Sequence, residues 1–275
     1  MARRMRRQAA KRRLRRILSC LAAVVFVVVA GAWGFVETGS SGAHSVRERR
    51  SPHAVSSHSA TTSPTTTTTN TSLPPTPVPL QGGAVAPVIS RVSTPNPVVF
   101  FTIDDGMVRD PAVVEYLREQ HIPVTMFLLP NFLHEDPAYF ESIHALGASV
   151  QDHTISHGDL RQLSAAAQQR EICGVLGEYS FRFGAQPWLF RPPGGFYNQS
   201  VPVVARRCGI RAVVMWRATM NDGRLDVQGG GPLRAGDIIL MHFRRDLRQN
   251  LEVALNAARA AGLQPAALEQ YLTPA

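Results

Sequence analysis

Short apolar segments alternate with longer helical patterns from about residue 96 to the end of this 275-residue chain. The apolar segments are rich in β-branched and aromatic residues, which is typical of buried strands. This alternation predicts an α/β fold with a parallel sheet, and the number of repeats predicts that the sheet closes as a barrel. The predicted strands cover residues 98–103, 124–129, 148–151, 189–190, 212–216 and 238–241. The predicted helices cover residues 111–120, 137–146, 164–179, 201–208 and 247–261, with Ser164 as an N-cap.

The N-terminal part of the chain has a different composition. Residues 1–16 contain nine Arg or Lys and no acid, so they account for the whole formal net charge of +9. Residues 17–36 are an uncharged, largely apolar run that is long enough to cross a bilayer. Because basic residues stay in the cytoplasm, the sequence predicts a single-pass cell-membrane anchor with the remaining chain outside. A signal peptide cleaved near Ala30-Gly31-Ala32, which would give a secreted protein, is the alternative.

Residues 37–95 are rich in Ser, Thr, Pro and Gly, which predicts a disordered linker between the membrane and a domain at 96–275. The chain after residue 16 is close to neutral, so we expect no nucleic-acid partner. Three cysteines are too few for a disulfide-based scaffold.

The first predicted strand of the domain ends in Asp104-Asp105-Gly106. In α/β barrels, functional residues gather at the carboxyl ends of the strands. Two carboxylates in one site either share a proton or face a cation. Gly106 would permit the turn that brings both carboxylates to the same place.

Two histidines, His153 and His157, follow the third predicted strand. At this spacing they would lie on one face of a helical turn, and both could bind a single metal ion. Surface or capping histidines are the alternative for such spacing alone. Together with an Asp from a neighbouring strand end, the two would form the His₂-carboxylate arrangement of a catalytic zinc site.

Other predicted strands also end in chemically informative residues. The segment at 191–195, Arg-Pro-Pro-Gly-Gly, offers an arginine that can pair with a carboxylate and glycines that let backbone amides approach a ligand. Trp216 ends a further strand, and Asp222-Gly223 beyond it is a turn signal. His242 follows the last predicted strand, where a single histidine is more often a hydrogen-bonded core residue than a catalyst.

These motifs in this order resemble the polysaccharide deacetylase family, the NodB homology domain of carbohydrate esterase family 4. The resemblance covers about residues 96–268 and rests on T-I-D-D-G, H-T-I-S-H, R-P-P-G-G and L-M-H. It implies a distorted (β/α) barrel and the metal-dependent removal of N- or O-acetyl groups from a polysaccharide. The implied divalent metal is Zn²⁺, and two histidines and one carboxylate also admit Co²⁺, Mn²⁺ or Fe²⁺.

The resemblance also implies roles for individual residues. The implied metal ligands are Asp105, His153 and His157. The implied catalytic residues are Asp104 as general base, Arg191 as its orienting partner, His242 as general acid and Asp222 as the residue that tunes His242. The implied substrate-binding residues are Pro193, Gly194, Trp216 and Leu240, of which Leu240 lines the acetyl pocket.

Four positions depart from the motifs of the family. Gly194 replaces the usual aromatic residue, which would open the cleft or weaken substrate stacking, and Asp152 stands where Asn is common. Gly223 replaces a Trp after the motif's Asp, and Phe243 follows the last His where Asp is common. These departures bear on the range of substrates more than on activity.

Cys173 and Cys208 lie on predicted helices that flank the strand at 189–190, so an exported domain is expected to join them in a disulfide, with two buried thiols as the alternative. The sequence thus predicts a membrane-anchored, monomeric, metal-dependent deacetylase of a cell-wall polysaccharide such as peptidoglycan or a chitin-like glycan. A catalytically inactive glycan-binding module and a different metallo-amidohydrolase are the alternatives. Binding alone would need neither the free base nor the acid.

Overall fold

The computed structural model of the protein describes residues 75, 77–80 and 82–273. Within these residues no helix has both the length and the apolar character needed to span a membrane. The predicted basic tail at 1–16, the predicted anchor at 17–36 and the predicted linker up to residue 74 lie outside the described residues.

Most of the described chain alternates between strands and helices, as predicted. The strands are β1 Val78–Pro79, β2 Val88–Ile89, β3 Val98–Asp105, β4 Val124–Leu128, β5 Ser149–Asp152, β6 Leu189–Phe190, β7 Ala212–Val214, β8 Ala218–Asn221, β9 Arg224–Val227, β10 Ile238–His242, β11 Gln264–Pro265 and β12 Leu272–Thr273. The helices are α1 Pro111–Glu119, α2 Pro130–Glu135, α3 Pro137–His144, α4 Ala165–Cys173, α5 Leu176–Phe183, α6 Ser200–Arg207 and α7 Leu247–Ala260. Short 3₁₀ helices cover Leu160–Gln162, Pro193–Gly195 and Leu268–Gln270.

The main sheet is a distorted, open barrel rather than the closed one that the repeat count predicts. Its strand order is β2-β7-β6-β5-β4-β3-β10-β8-β9, with β11 paired to β3, and no pairing among the described strands joins β2 to β9. All neighbours in this order are parallel except β8 and β9, which form an antiparallel hairpin. The barrel stays open because the chain after β7 forms the β8–β9 hairpin. A closed barrel would need a further β–α unit at this place.

Residues of β3 alternate between the two faces of the sheet. Val99, Phe101 and Ile103 pack into the larger apolar cluster, which includes the helices, whereas Val98 and Phe100 belong to a smaller cluster on the other face. Because side chains alternate along a strand, the polar residues Thr102 and Asp104 share the face of Phe100. This face of β3 is therefore apolar at the amino end of the strand and polar at its carboxyl end.

The fold begins earlier than predicted. β1 pairs with β12 and β2 pairs with β7, so strands occur before residue 96. Leu80, Ala86 and Val92 are buried in this segment. The predicted end of the disordered linker at residue 95 is therefore wrong, because spaced apolar residues in this Pro-rich segment pack against the sheet.

The helix predicted over residues 164–179 is divided into α4 and α5. Ser164 caps α4 as predicted, since its hydroxyl accepts a hydrogen bond from the amide of Ala167 at 3.3 Å. At Gly174, after α4, a Cβ atom would lie only 2.5 Å from Cδ1 of Ile155. The glycine thus lets the loop that contains Ile155 pack directly on the helix backbone. The expected disulfide between Cys173 and Cys208 is present and ties the end of α4 to the residue after α6.

Glu269 is expected to make the stability of the domain change with pH. It lies in the 3₁₀ helix Leu268–Gln270 and contacts the amino-terminal parts of β4 and β5. Its carboxylate accepts hydrogen bonds from the hydroxyl of Thr125 at 2.9 Å and from that of Ser149. Burial raises the pKa of Glu269 above its usual 4.5, and the two hydroxyl groups only partly oppose this. The associated stabilisation is complete below pH 4.5 and is lost as the pH rises through the folded-state pKa.

Glu269→Gln keeps an acceptor for both hydroxyl groups but cannot ionise. We expect the free energy of unfolding of this variant to exceed that of the wild type by roughly 1–3 kcal/mol at pH 8, with a smaller difference at pH 4.5. Urea denaturation at a series of pH values measures the difference. A gap between the two proteins that stays constant with pH would contradict the assignment.

Candidate active site

The carboxyl ends of β10, β3, β5 and β6 place most of the predicted site residues together. These strands are parallel, and they are consecutive neighbours in the sheet except that β4 lies between β3 and β5. His242 at the end of β10 is the register partner of Asp104 at the end of β3. Asp152, which precedes His153, is the register partner of Phe190, which precedes Arg191.

Asp104 and Asp105 both contribute to this site because the backbone turns at Asp105. Asp105 has a φ of 77° and Gly106 a φ of 114°, so the turn begins one residue before the predicted glycine. A left-handed conformation costs a non-glycine residue about 1 kcal/mol or more. A Cβ at Gly106 would lie 2.9 Å from Cζ of Phe140, so the turn also needs a residue without a side chain.

Asp105, His153 and His157 form a candidate metal centre. Each offers one ligand atom, and these atoms lie within 4.8 Å of one another. Oδ1 of Asp105 is 3.5 Å from Nε2 of His153 and 3.4 Å from Nε2 of His157. Nδ1 of His153 lies 2.7 Å from the carbonyl oxygen of Arg191 and must donate to it, because a carbonyl can only accept. In the neutral ring Nε2 then keeps its lone pair for a metal.

The electrostatics of the three residues also fit a cation. Oδ1 of Asp105 is buried and has no hydrogen-bond partner among the described residues. Burial opposes ionisation of Asp105, but the imidazoles of His153 and His157 outweigh it and hold the pKa of Asp105 far below its usual value. Asp105 in turn raises the pKa of His157. The site therefore favours positive charge, and its nitrogen and oxygen donors suit a divalent metal ion.

The segment that carries the two histidines is an irregular loop, so the predicted helical turn is wrong. Thr154 and His157 have φ values of 73° and 57°. The carboxylate of Asp152 accepts a hydrogen bond from the amide of Thr154 at 2.7 Å, and that of Glu171 accepts bonds from the next two amides at 3.2 and 2.9 Å. Side-chain acceptors thus replace the backbone pairing of a helix.

Asp152 occupies the position where the family commonly has Asn. Its side chain is completely buried, and this burial raises its pKa well above the usual value. Burial thus favours the neutral carboxyl group over the carboxylate, and the neutral group has nearly the shape of an Asn amide. The departure preserves the turn before His153.

Arg191 is fully buried and fixes Asp104. Its Nη1 lies 2.7 Å from Oδ1 of Asp104 and 2.8 Å from the hydroxyl oxygen of Thr102. Its Nε donates to the carbonyl of Val214 at 3.0 Å, and Cζ lies 4.3 Å from the centroid of the Phe127 ring. Oδ2 of Asp104 is 3.7 Å from Nε2 of His153. One carboxylate oxygen is thus held by Arg191 while the other faces the candidate metal centre.

Three residues that support these groups were not predicted from the sequence: Thr102, Phe127 and Glu171. Thr102 lies two residues before Asp104, so strand alternation could have placed it on the same face. Phe127 is the register partner of Asp104, which only the strand pairing reveals. Nothing in the local sequence connects Glu171 with the loop of the metal ligands.

No hydrogen bond or ion pair among the described residues joins Asp222 to His242. Asp222 and Gly223, with φ values of 49° and 71°, form the two-residue turn between β8 and β9, and Asp222 is exposed. Its amide donates to Oδ2 of Asp246 at 2.7 Å. Nδ1 of His242 is buried without a hydrogen-bond partner in the described part of the chain. The tuning of His242 by Asp222 that the resemblance implies therefore stays a prediction without a hydrogen bond to support it.

Burial lowers the pKa of His242, and the carboxylates of Asp104 and Asp105 only partly oppose this effect. Phe243, the next residue, is completely buried and packs its ring 5.5 Å from that of Phe140, measured between centroids. The position after the last histidine, where Asp is common in the family, thus belongs to an aromatic cluster here.

The implied substrate-binding residues lie around Arg191 and β10. A Cβ at Gly195 would lie 2.9 Å from Cη2 of Trp216, and Cζ of Arg191 lies 5.7 Å from the Trp216 ring centroid. Pro193 is buried, whereas Gly194 is exposed. Leu240 is buried beside Thr102, its register partner in β3.

Known proteins that are similar to this chain point to the same family as its sequence motifs do. A family model described as polysaccharide deacetylase matches residues 91–213. The matched segment contains Asp104, Asp105, Arg191 and both histidines of the candidate metal centre, and His242 lies beyond it.

Similar proteins cover most of the same region. An uncharacterised protein of Streptomyces coelicolor is 41% identical over 70% of this chain and 80% of its own length. The peptidoglycan-N-acetylglucosamine deacetylase of Bacillus cereus is 26% identical over 58% of this chain and 78% of its own. The crystal structure of a CE4 family pseudoenzyme from Bacillus anthracis has a TM-score of 0.59 at 18% identity, and it covers 72% of this chain and 70% of its own.

Proposed function

Because the chain belongs to the polysaccharide deacetylase family, we propose that it is a metal-dependent hydrolase that removes N-acetyl groups from a cell-wall polysaccharide. The observation that carries this proposal is the division between two adjacent aspartates. Asp105 lies 3.4–3.5 Å from both histidines, whereas Asp104 is held through one oxygen by Arg191 at 2.7 Å. A fold of this type is also found in a pseudoenzyme, so the argument for activity comes from these residues.

Asp105, His153 and His157 would hold the metal, for which Zn²⁺ suits the donors and Co²⁺, Mn²⁺ or Fe²⁺ are admitted. When bound, such a cation supplies Lewis acidity, which polarises an amide carbonyl and lowers the pKa of water. Only the ligand set is needed for binding the ion, so Asp104 stays free for proton transfer.

Asp104 acts as the general base. Arg191 occupies its Oδ1, so Oδ2, which faces the ligand set, accepts the proton of the attacking water. The buried hydrogen bonds of Arg191 to Thr102 and Val214 keep the carboxylate in this orientation. Arg191 is thus a positioning residue.

His242 donates a proton to the departing amine. Its lowered pKa makes the protonated imidazole a stronger acid than an exposed histidine would be. Within the loop after β6, the amides of Gly195 and Phe196 already donate to carbonyls at 2.9 and 3.0 Å. Within residues 193–195, the amide of Gly194 is therefore the donor that can stabilise negative charge on the acetyl oxygen, because proline has no N–H.

The substrate we propose is peptidoglycan, with chitin-like oligomers as the alternative polymer. The support is the N-acetylglucosamine deacetylase among the similar proteins and the predicted location of the domain outside the cell. This location, with membrane attachment through residues 17–36 and a monomeric catalytic domain, is part of the proposal and rests on the sequence alone.

Acetate release tests the function. Residues 75–275 are incubated with peptidoglycan, N-acetylglucosamine oligomers, acetylated xylan and an N-acetylated peptide, and acetate is measured enzymatically. We expect release from peptidoglycan to exceed that from the other three. Release from the peptide alone would favour a different metallo-amidohydrolase, and retention of glycan without any release would favour a binding module.

A further inference from the structure

The loop after β6 carries an unusual concentration of exposed aromatic residues. Among the Phe, Tyr and Trp residues in the described part of the chain, three have exposed side chains: Phe181, Phe196 and Tyr197. Two of them are neighbours in the loop that begins at Arg191, and Phe196 keeps 45% of its surface exposed. Aromatic rings bury large apolar areas when they find a partner, so an exposed ring beside an active site is a candidate binding surface.

Phe196 is held in place through one face of its ring. Cζ of Arg161 lies 4.1 Å from the ring centroid, a cation–π contact. The guanidinium of Arg161 is itself fixed by Asp159, with Nε to Oδ1 at 2.9 Å and Nη2 to Oδ2 at 2.7 Å. Asp159 follows the candidate ligand His157 by two residues. The ring is therefore supported from the segment that carries the metal ligand.

The edge of the Phe196 ring lies against Gly194. A Cβ at Gly194 would come within 2.9 Å of Cε2 and 3.0 Å of Cδ2 of this ring. The ring thus occupies the space that a side chain at position 194 would need. On the next residue, a Cβ at Gly195 would lie 2.9 Å from Cη2 of Trp216. The two glycines therefore lie between two aromatic rings, Phe196 and Trp216.

We propose that Phe196 is a sugar-stacking residue that binds a neighbouring unit of the glycan chain beside the one that is deacetylated. This proposal rests on the proposed function and extends it to oligomeric substrates. The C–H groups on one face of a pyranose ring form an apolar surface that packs on an aromatic ring. Gly194 leaves room for the edge of the Phe196 ring, and Arg161 packs on one face of it. The exposed part of the ring is the surface that the sugar would cover.

The test separates binding from turnover by using protein that carries Asp104→Asn. Calorimetry measures the dissociation constants of an N-acetylglucosamine tetramer and of a four-sugar peptidoglycan fragment. Phe196→Ala is expected to weaken binding of at least one tetramer about tenfold, and Phe196→Trp is expected to restore it. Gly194→Ala, whose Cβ would displace the ring, is expected to behave like Phe196→Ala. Phe181→Ala, which removes an exposed ring elsewhere, is the matched control and should bind as the parent protein does.

In active protein, Phe196→Ala is expected to raise KM for tetramers about tenfold and to leave kcat unchanged. Unaltered tetramer binding by Phe196→Ala, or no binding of either tetramer by the parent protein, would overturn the stacking role. Failure of the wild type to release acetate would contradict the proposed function instead. Since calorimetry on the Asp104→Asn background needs no turnover, the two failures are distinguishable.

Discussion

Asp104→Asn is expected to reduce kcat for acetate release by about 10³-fold. The removal of a general base costs about 10²–10⁴-fold, and this variant keeps the shape of the side chain and an oxygen for Arg191. Because the metal ligands are untouched, we expect the variant to bind as much metal as the wild type does. Initial rates of acetate release at saturating substrate, with metal content measured by mass spectrometry, give both quantities.

Asp226→Asn is the matched control for this variant. Asp226 is an exposed residue of β9, and its substitution makes the same change from a carboxylate to a neutral amide. Its activity should equal that of the wild type. A rate for Asp104→Asn within threefold of the wild type, at equal metal content, would exclude Asp104 as the base.

Arg191→Met is expected to destabilise the domain by about 3–5 kcal/mol and to abolish activity. The arginine is completely buried against Asp104 at 2.7 Å, so its removal leaves a buried carboxylate without a partner. The denaturation midpoint in urea measures this loss. Combination with Asp104→Asn removes the uncompensated charge, and we expect the double variant to recover part of the lost stability.

Arg182→Met provides the comparison for a surface ion pair. Arg182 pairs with Glu141 at 3.0 Å, but both side chains are substantially exposed, so we expect a loss below about 1 kcal/mol. Additive effects in the Arg191→Met and Asp104→Asn pair, with no recovery of stability, would show that the buried contact does not couple the two residues.

The sequence predicts the order of strands and helices because each has its own hydrophobic period. The open sheet was not predictable in this way. The hairpin of β8 and β9 stands where a β–α repeat would continue the barrel, and only strand pairing shows that β9 ends the sheet. Likewise, the apolar residues between 78 and 95 are too sparse to give a periodic signal, although they complete the fold.

The candidate metal ligands were also only partly predictable from the sequence. The residue types and their spacing identify Asp105, His153 and His157, but the spacing wrongly predicts a helical turn for the histidines. The loop is set by Asp152 and by Glu171, which arrives from another element. The role implied for Asp222 likewise has no contact behind it, since a local turn places the aspartate at an exposed hairpin tip with no hydrogen bond to Nδ1 of His242.

Whether Asp105, His153 and His157 hold a metal on which deacetylation depends is decided by removing and returning that metal. Protein treated with chelator and then freed of it is assayed for acetate release from peptidoglycan, before and after addition of one equivalent of Zn²⁺. His157→Ala is treated in parallel. We expect activity to disappear on chelation and to return with Zn²⁺ in the wild type alone. Undiminished acetate release from protein shown to be free of metal would contradict the metal centre.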